Sequence, residues 1–154
     1  MDWSRHDGYA ISTDRDRLDL DVVHGFLSTA YWSKGISREV VERAIDNSLP
    51  FGLYADGGQQ VGFARMVTDL ATFAWLADVF VLERHRGHGL GTWLVGTALS
   101  HPGLEGVRRF DLATADAHSL YARFGFQPAD PGRMMERTRK ASDVYRVAGR
   151  QKPD

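Results

Sequence analysis

The sequence contains no cysteine, which removes disulfide scaffolds, thiolate metal sites and a cysteine nucleophile together. It has no excess of either charge: 19 Lys and Arg stand against 20 Asp and Glu, a formal net charge of −1. No basic field argues for nucleic acid, and no acidic excess argues for a polycationic partner. No window approaches the ~18 apolar residues of a membrane span. The first residues, MDWSRHDGYAIS, lack the apolar core of a signal peptide. These absences predict a cytoplasmic protein that engages neither membrane nor nucleic acid. The six histidines fall without ligand spacing such as H-x-x-x-H, so no metal site is predicted.

What is present suits a packed domain. The 154 residues are 43% hydrophobic and 25% charged, a balance that supports one hydrophobic core. Gly8 to Thr13 alternates as a strand. Leu20, Val23, Leu27 and Ala30 recur at helical spacing within Asp19–Tyr31, and Ser37 opens a second helix whose apolar side is Val40, Val41, Ala44 and Ile45. Phe51 to Tyr54 and Val61 to Val67 flank Ala55-Asp56-Gly57-Gly58-Gln59 as a hairpin. Phe73 to Leu82 is a nearly continuous apolar run broken by Asp78, as in a central strand covered on both faces. A helix through Thr92, Leu94, Val95, Ala98 and Leu99 stops at His101-Pro102-Gly103. Val107–Leu112 reads as a strand, His118–Phe124 as a short helix and Met134–Arg137 as a last strand. The order predicts a single α/β domain over 1–139, followed by a polar, mobile tail at 140–154.

The most informative segment is Arg84-His85-Arg86-Gly87-His88-Gly89-Leu90-Gly91-Thr92. Three glycines at alternate positions lie between a buried strand and a helix start. Glycine lets backbone approach a ligand closely, and a first helical turn offers unpaired N–H groups with partial positive charge. Pyrophosphate suits such a loop, with Arg86, and Arg84 or His88, as charged contacts. A phosphate-binding P-loop is excluded because Gly91 is followed by Thr92-Trp93 rather than Lys-Ser or Lys-Thr. A dinucleotide fingerprint would open the first strand–helix unit, whereas this loop follows several strands.

Arg86-Gly87-His88-Gly89-Leu90-Gly91 resembles the R/Q-x-x-G-x-G/A pyrophosphate loop of the GNAT superfamily of N-acetyltransferases. Asp78-Val79-Phe80-Val81 looks like that family's fourth strand. Ala117-His118-Ser119-Leu120-Tyr121-Ala122-Arg123-Phe124-Gly125-Phe126 is similar to its A-x-x-L-Y-x-x-x-G-F segment. The resemblance covers Gly8 to Arg137, with the diagnostic residues between Tyr54 and Phe126. It implies a mixed, mostly antiparallel sheet flanked by helices, with the fourth and fifth strands splayed apart, and acetyl-CoA as cosubstrate. By resemblance, Phe80, Val81 and Thr114 contact the pantetheine arm, and Arg86, Gly87, His88, Gly89, Leu90, Gly91 and Thr92 hold the pyrophosphate. Thr114 stands where the family often has asparagine.

The resemblance further implies direct attack of a neutral amine on a thioester, with no covalent enzyme intermediate. Tyr121 falls on the tyrosine commonly placed to protonate the departing thiolate; the bland reading is a packing aromatic. Some members carry a glutamate base where this chain has Trp75 and Ala77. Asp78 is the only carboxylate in that run, open to three roles: base, substrate anchor or structural acceptor. Tyr31 and Trp32 are candidates for an aromatic wall around the amine, with stapling of the helix connection as their structural alternative. His24 reads as a structural histidine. The expected activity is acetyl transfer to the primary amine of a small molecule. Two alternatives stay open: a protein or peptide acceptor, and a non-catalytic acyl-CoA sensor. Homodimers are common among proteins similar to this one and belong among the expected assemblies.

Overall fold

The computed structural model describes residues 1–148. Six strands form one sheet in chain order: β1 (Asp2–Ser4), β2 (Ala10–Ser12), β3 (Leu49–Tyr54), β4 (Gln60–Thr68), β5 (Phe73–Val81) and β6 (Arg109–Asp111). All neighbours are antiparallel except β5 and β6, which are parallel. This is the expected mixed sheet, and β5 and β6 stand where the resemblance puts its fourth and fifth strands. The helices are α1 (Leu20–Leu27), α2 (Arg38–Asp46), α3 (Leu90–Leu99), α4 (His118–Ala122) and α5 (Ala141–Ala148).

Local chemistry sets the helix starts. Asp19 Oδ1 accepts the amides of Asp21 and Val22 at 3.0 and 3.2 Å, and Ser37 Oγ accepts that of Val40 at 3.4 Å. Packing divides the interior in two. Val23 and Leu27 of α1 and Val41 and Ile45 of α2 bury against Phe63 and Phe80. Leu90, Leu94, Val95 and Ala98 of α3 bury with Phe51, Leu53, Met66 and Leu76. Phe80 and Val81 are neighbours on one strand but enter different cores, because successive strand residues face opposite sides of the sheet.

Two irregularities prepare the site. Phe73, Ala74 and Trp75 pair with Arg109, Phe110 and Asp111, after which β5 runs on to Val81 without a β6 partner. The sheet splits there. On the other side, Phe63 faces Phe80 while Arg65 faces Ala77, so β5 carries one extra residue in a β-bulge. Asp78 lies in that bulge with φ 55°, a left-handed conformation that aspartate tolerates better than most non-glycine residues.

The structure departs from the sequence reading at the ends of the chain. The strand expected from Gly8 is the second, since Asp2–Ser4 pairs ahead of it. Three residues are too short to display a period. Met134–Arg137 is irregular rather than a strand, and Met135 is almost fully exposed, with no strand to pair against. Ala141–Ala148, within the expected tail, is helix α5, whose Tyr145 packs against the α1–α2 core. The rest of that tail lies outside the described residues. No helix among them is long and apolar enough to cross a membrane.

Candidate active site

The split between β5 and β6 opens into a cavity of about 520 Å³. Leu76 to Val79 form one wall and Ala113 to Ala117 the other, with Tyr31, Trp32, Tyr121 and Tyr145 around them. A second cavity of about 540 Å³ shares Ala113, Thr114 and Tyr121 with the first. The fold therefore gathers Tyr31, Trp32, Asp78, Thr114 and Tyr121, five residues singled out in the sequence, around one space.

Asp78 is fully engaged. Its Oδ2 accepts from Arg65 Nε at 2.5 Å and its Oδ1 from Trp32 Nε1 at 3.0 Å. The Arg65 and Asp78 side chains are 18% and 11% exposed, so the pair is largely removed from water. Each oxygen carries one bond, so Asp78 ties the α1–α2 connection to β5 through Trp32 and joins β5 to β4 through Arg65. Arg65 is a residue the sequence reading missed. It lies on β4 opposite Ala77, next to the bulge that holds Asp78.

Tyr31 and Trp32 span the split. Trp32 bonds to β5 through Asp78, while the Tyr31 hydroxyl accepts the Ala115 amide at 3.0 Å, on the connection between β6 and α4. Their rings pack edge to face at 5.0 Å, and Phe26 supports Trp32 from α1 at 6.1 Å. Two consecutive residues thus hold both arms of the opening, combining the stapling role with a place in the cavity wall.

Tyr121 is buried on α4 and packs edge to face against Phe126 at 6.1 Å. Among the described residues its hydroxyl has no protein hydrogen-bond partner, and it borders both cavities. Burial, and then the charges of Tyr31 and Asp116, push its pKa above the ordinary tyrosine value. The phenol therefore keeps its proton throughout the neutral range. Thr114 Oγ1 accepts the amides of Ala117 and Asp116 at 3.0 and 3.4 Å, closing the turn that precedes α4 and leaving the hydroxyl proton free to donate.

The glycine loop lies at the C-terminal end of β5. Gly87 and Gly89 have φ of 85° and 70°, the left-handed region that glycine occupies without strain. A Cβ placed on Gly87, Gly89 or Gly91 would meet nothing within 4 Å. Internal packing thus does not require these glycines, and the surface above them is open to a close ligand. Gly89 caps α3 without a side-chain bond, so no side chain occupies the first-turn amides of Leu90, Gly91 and Thr92. The Leu90 side chain is buried, leaving only its backbone to a ligand. Arg86 Nε donates to the Val81 carbonyl at 2.9 Å, pinning the loop to the strand end. His88 is exposed, and its carbonyl accepts from Arg5 Nη2 at 3.1 Å. Phe80 stacks on Phe26 at 4.0 Å, so only its backbone can serve a ligand. The open loop and uncapped helix start fit a pyrophosphate.

Comparison with known proteins agrees with the fold. The family model described as an acetyltransferase (GNAT) domain matches residues 46–128. An acetyltransferase candidate of Gibberella zeae, FG08082, is 31% identical over 145 residues, covering 80% of each chain. The crystal structure of a protein from Xanthomonas campestris pv. campestris, assigned to the GNAT family of acetyltransferases, is 49% identical. It superposes with a TM-score of 0.84 over 89% of this chain and 96% of its own. A more distant structure, from Clostridium acetobutylicum, is assigned as an acetyltransferase and contains acetyl-CoA. It is 15% identical, with a TM-score of 0.63 over 85% of this chain and 95% of its own, and shares the fold.

Proposed function

Since the chain belongs to the GNAT family of acetyltransferases, we propose that it transfers acetyl from acetyl-CoA to the primary amine of a small molecule. The observation that carries this reading is the open glycine surface at Gly87, Gly89 and Gly91, at the end of the strand that splits from β6. The amides of Arg86 to Thr92 would hold the pyrophosphate, and the β5 backbone at Phe80 and Val81, which β6 leaves unpaired, would line the arm. Thr114 Oγ1, with its proton free, borders the same opening.

Acetyl-CoA, when bound, supplies a thioester carbon for the amine to attack and a sulfur leaving group. The chain's own groups supply positioning and protons. Tyr121 holds a phenolic proton at the border of the two cavities and gives it to the departing sulfur. Asp78 is spoken for by Arg65 and Trp32, so the amine's surplus proton leaves through the open mouth to solvent. Tyr31 and Trp32 fix the width of the opening, and hence the approach of the amine.

Calorimetric titration with acetyl-CoA tests the reading, in wild type and Gly89→Trp. Binding by the wild type, lost when an indole fills the loop, supports it. Folded wild-type protein that does not bind acetyl-CoA would overturn it.

A further inference from the structure

Five aromatic side chains from four segments converge on the cavity between β5 and β6. Tyr31 and Trp32 come from the α1–α2 connection, Trp75 from β5, Tyr121 from α4 and Tyr145 from α5. Three charged side chains share that lining: Arg65, Asp78 and Asp116. Arg65 and Asp78 neutralise each other across 2.5 Å. Asp116 is exposed and, among the described residues, forms no ion pair, so one net negative charge remains at an aromatic mouth. Asp116 also lies close enough to Tyr121 to help hold that phenol protonated.

We propose that the acceptor is a small monoamine with an apolar, ring-sized body and no acidic group, drawn in as its ammonium ion by Asp116 and the aromatic faces. The assignment rests on the amine-acetyltransferase reading above. Aromatic faces attract ammonium ions by about 0.5–2 kcal/mol each, more as water is excluded. They also bury an apolar body that a hydroxylated sugar would not match. An acidic substituent would be repelled by Asp116. A polyamine would bring a second charge for which the lining has no uncompensated partner. The cavity, at about 520 Å³, is within the size range of small-ligand sites.

The test compares substrates that differ in one feature. Phenethylamine and tryptamine are set against phenylalanine and tryptophan, which add only a carboxylate, and against spermidine and glucosamine 6-phosphate. Free thiol release is followed with acetyl-CoA present. The expected kcat/KM for the two simple amines exceeds that for the matching amino acids by at least about tenfold. Asp116→Asn should raise the amine KM by about three- to fivefold and leave acetyl-CoA affinity unchanged. Trp75→Leu should narrow the preference for ring-bearing amines over spermidine. Preferred turnover of the amino acids, of spermidine or of the sugar phosphate would overturn the pocket assignment while leaving the acetyltransferase reading intact. Acetyl-CoA binding without turnover of any amine, peptide or protein would overturn both.

Discussion

Trp32 Nε1 donates to Asp78 Oδ1 at 3.0 Å, a bond that reaches from the α1–α2 connection to the bulge of β5. It makes the width of the cavity depend on a residue remote in sequence from the strands that form it. Trp32→Phe keeps the ring but removes the donor. One hydrogen bond to a charged, partly exposed group contributes about 1 kcal/mol. The amine KM should therefore rise about fivefold, with acetyl-CoA affinity unchanged. Steady-state kinetics with both substrates varied check this. An equal loss in both KM values would show that Trp32 supports the whole fold rather than the acceptor side.

The Arg65–Asp78 pair yields a sharper contrast. Asp78→Asn keeps one acceptor oxygen, for Trp32 or for Arg65, sets an amide donor against the other, and accepts the left-handed backbone at this position. It should lower stability by about 2 kcal/mol and retain most activity. Asp78→Ala strands a largely buried guanidinium and should cost about 3 kcal/mol. Denaturant unfolding of the two variants measures the difference. Abolished turnover in a stable Asp78→Asn protein would reassign Asp78 as the catalytic base.

Features of the site with a local cause were legible in the sequence. Gly87 and Gly89 need left-handed backbone, and only glycine supplies it without strain, so the loop declares itself. Asp19 and Ser37 announce helix starts because a cap bonds to its own first turn. What could not be read depends on register. Arg65 and Asp78 meet across β4 and β5 beside a one-residue register shift, and no period in either strand encodes that shift. Tyr145 reaches the cavity from a helix embedded in a polar segment, where a single aromatic carries no recognisable pattern. The bond from Tyr31 to Ala115 joins segments 84 residues apart and is fixed by the whole fold.

Tyr121 carries a prediction with a sign in pH. Its pKa is raised, by burial first, so the proton it donates is present at and below the ordinary tyrosine value near 10. The loss of rate from ionising this phenol should consequently fall above pH 10. Tyr121→Phe should reduce kcat by about a hundredfold at neutral pH while leaving acetyl-CoA affinity nearly unchanged. It should also remove that alkaline limb. The pH profile of kcat for the two proteins decides between a proton donor and a packing aromatic, since a packing residue would move stability without reshaping the profile.

The N-terminal hairpin braces the glycine loop from outside. Arg5 pairs with Asp7 through Nε and Nη2, donates from Nη2 to the His88 carbonyl at 3.1 Å, and lies over the Trp93 ring at 5.3 Å. Beside it, Tyr9 and His85 Nδ1 are in hydrogen-bond contact at 3.0 Å. A loop that must present several amides at once loses affinity when its conformations multiply. Arg5→Ala should weaken acetyl-CoA binding by about fivefold through the lost carbonyl bond and ring contact. The amine KM at saturating acetyl-CoA should stay within error of wild type. Arg5→Lys, which keeps the charge but cannot pair with Asp7 in the same forked geometry, should fall between the two. Titration calorimetry gives the affinities, and thermal melts show whether the fold is affected. Weakened binding at an unchanged melting temperature would identify Arg5 as a positioning residue for the loop. Unchanged binding would mean that the glycines and the α3 amides hold their arrangement without the hairpin.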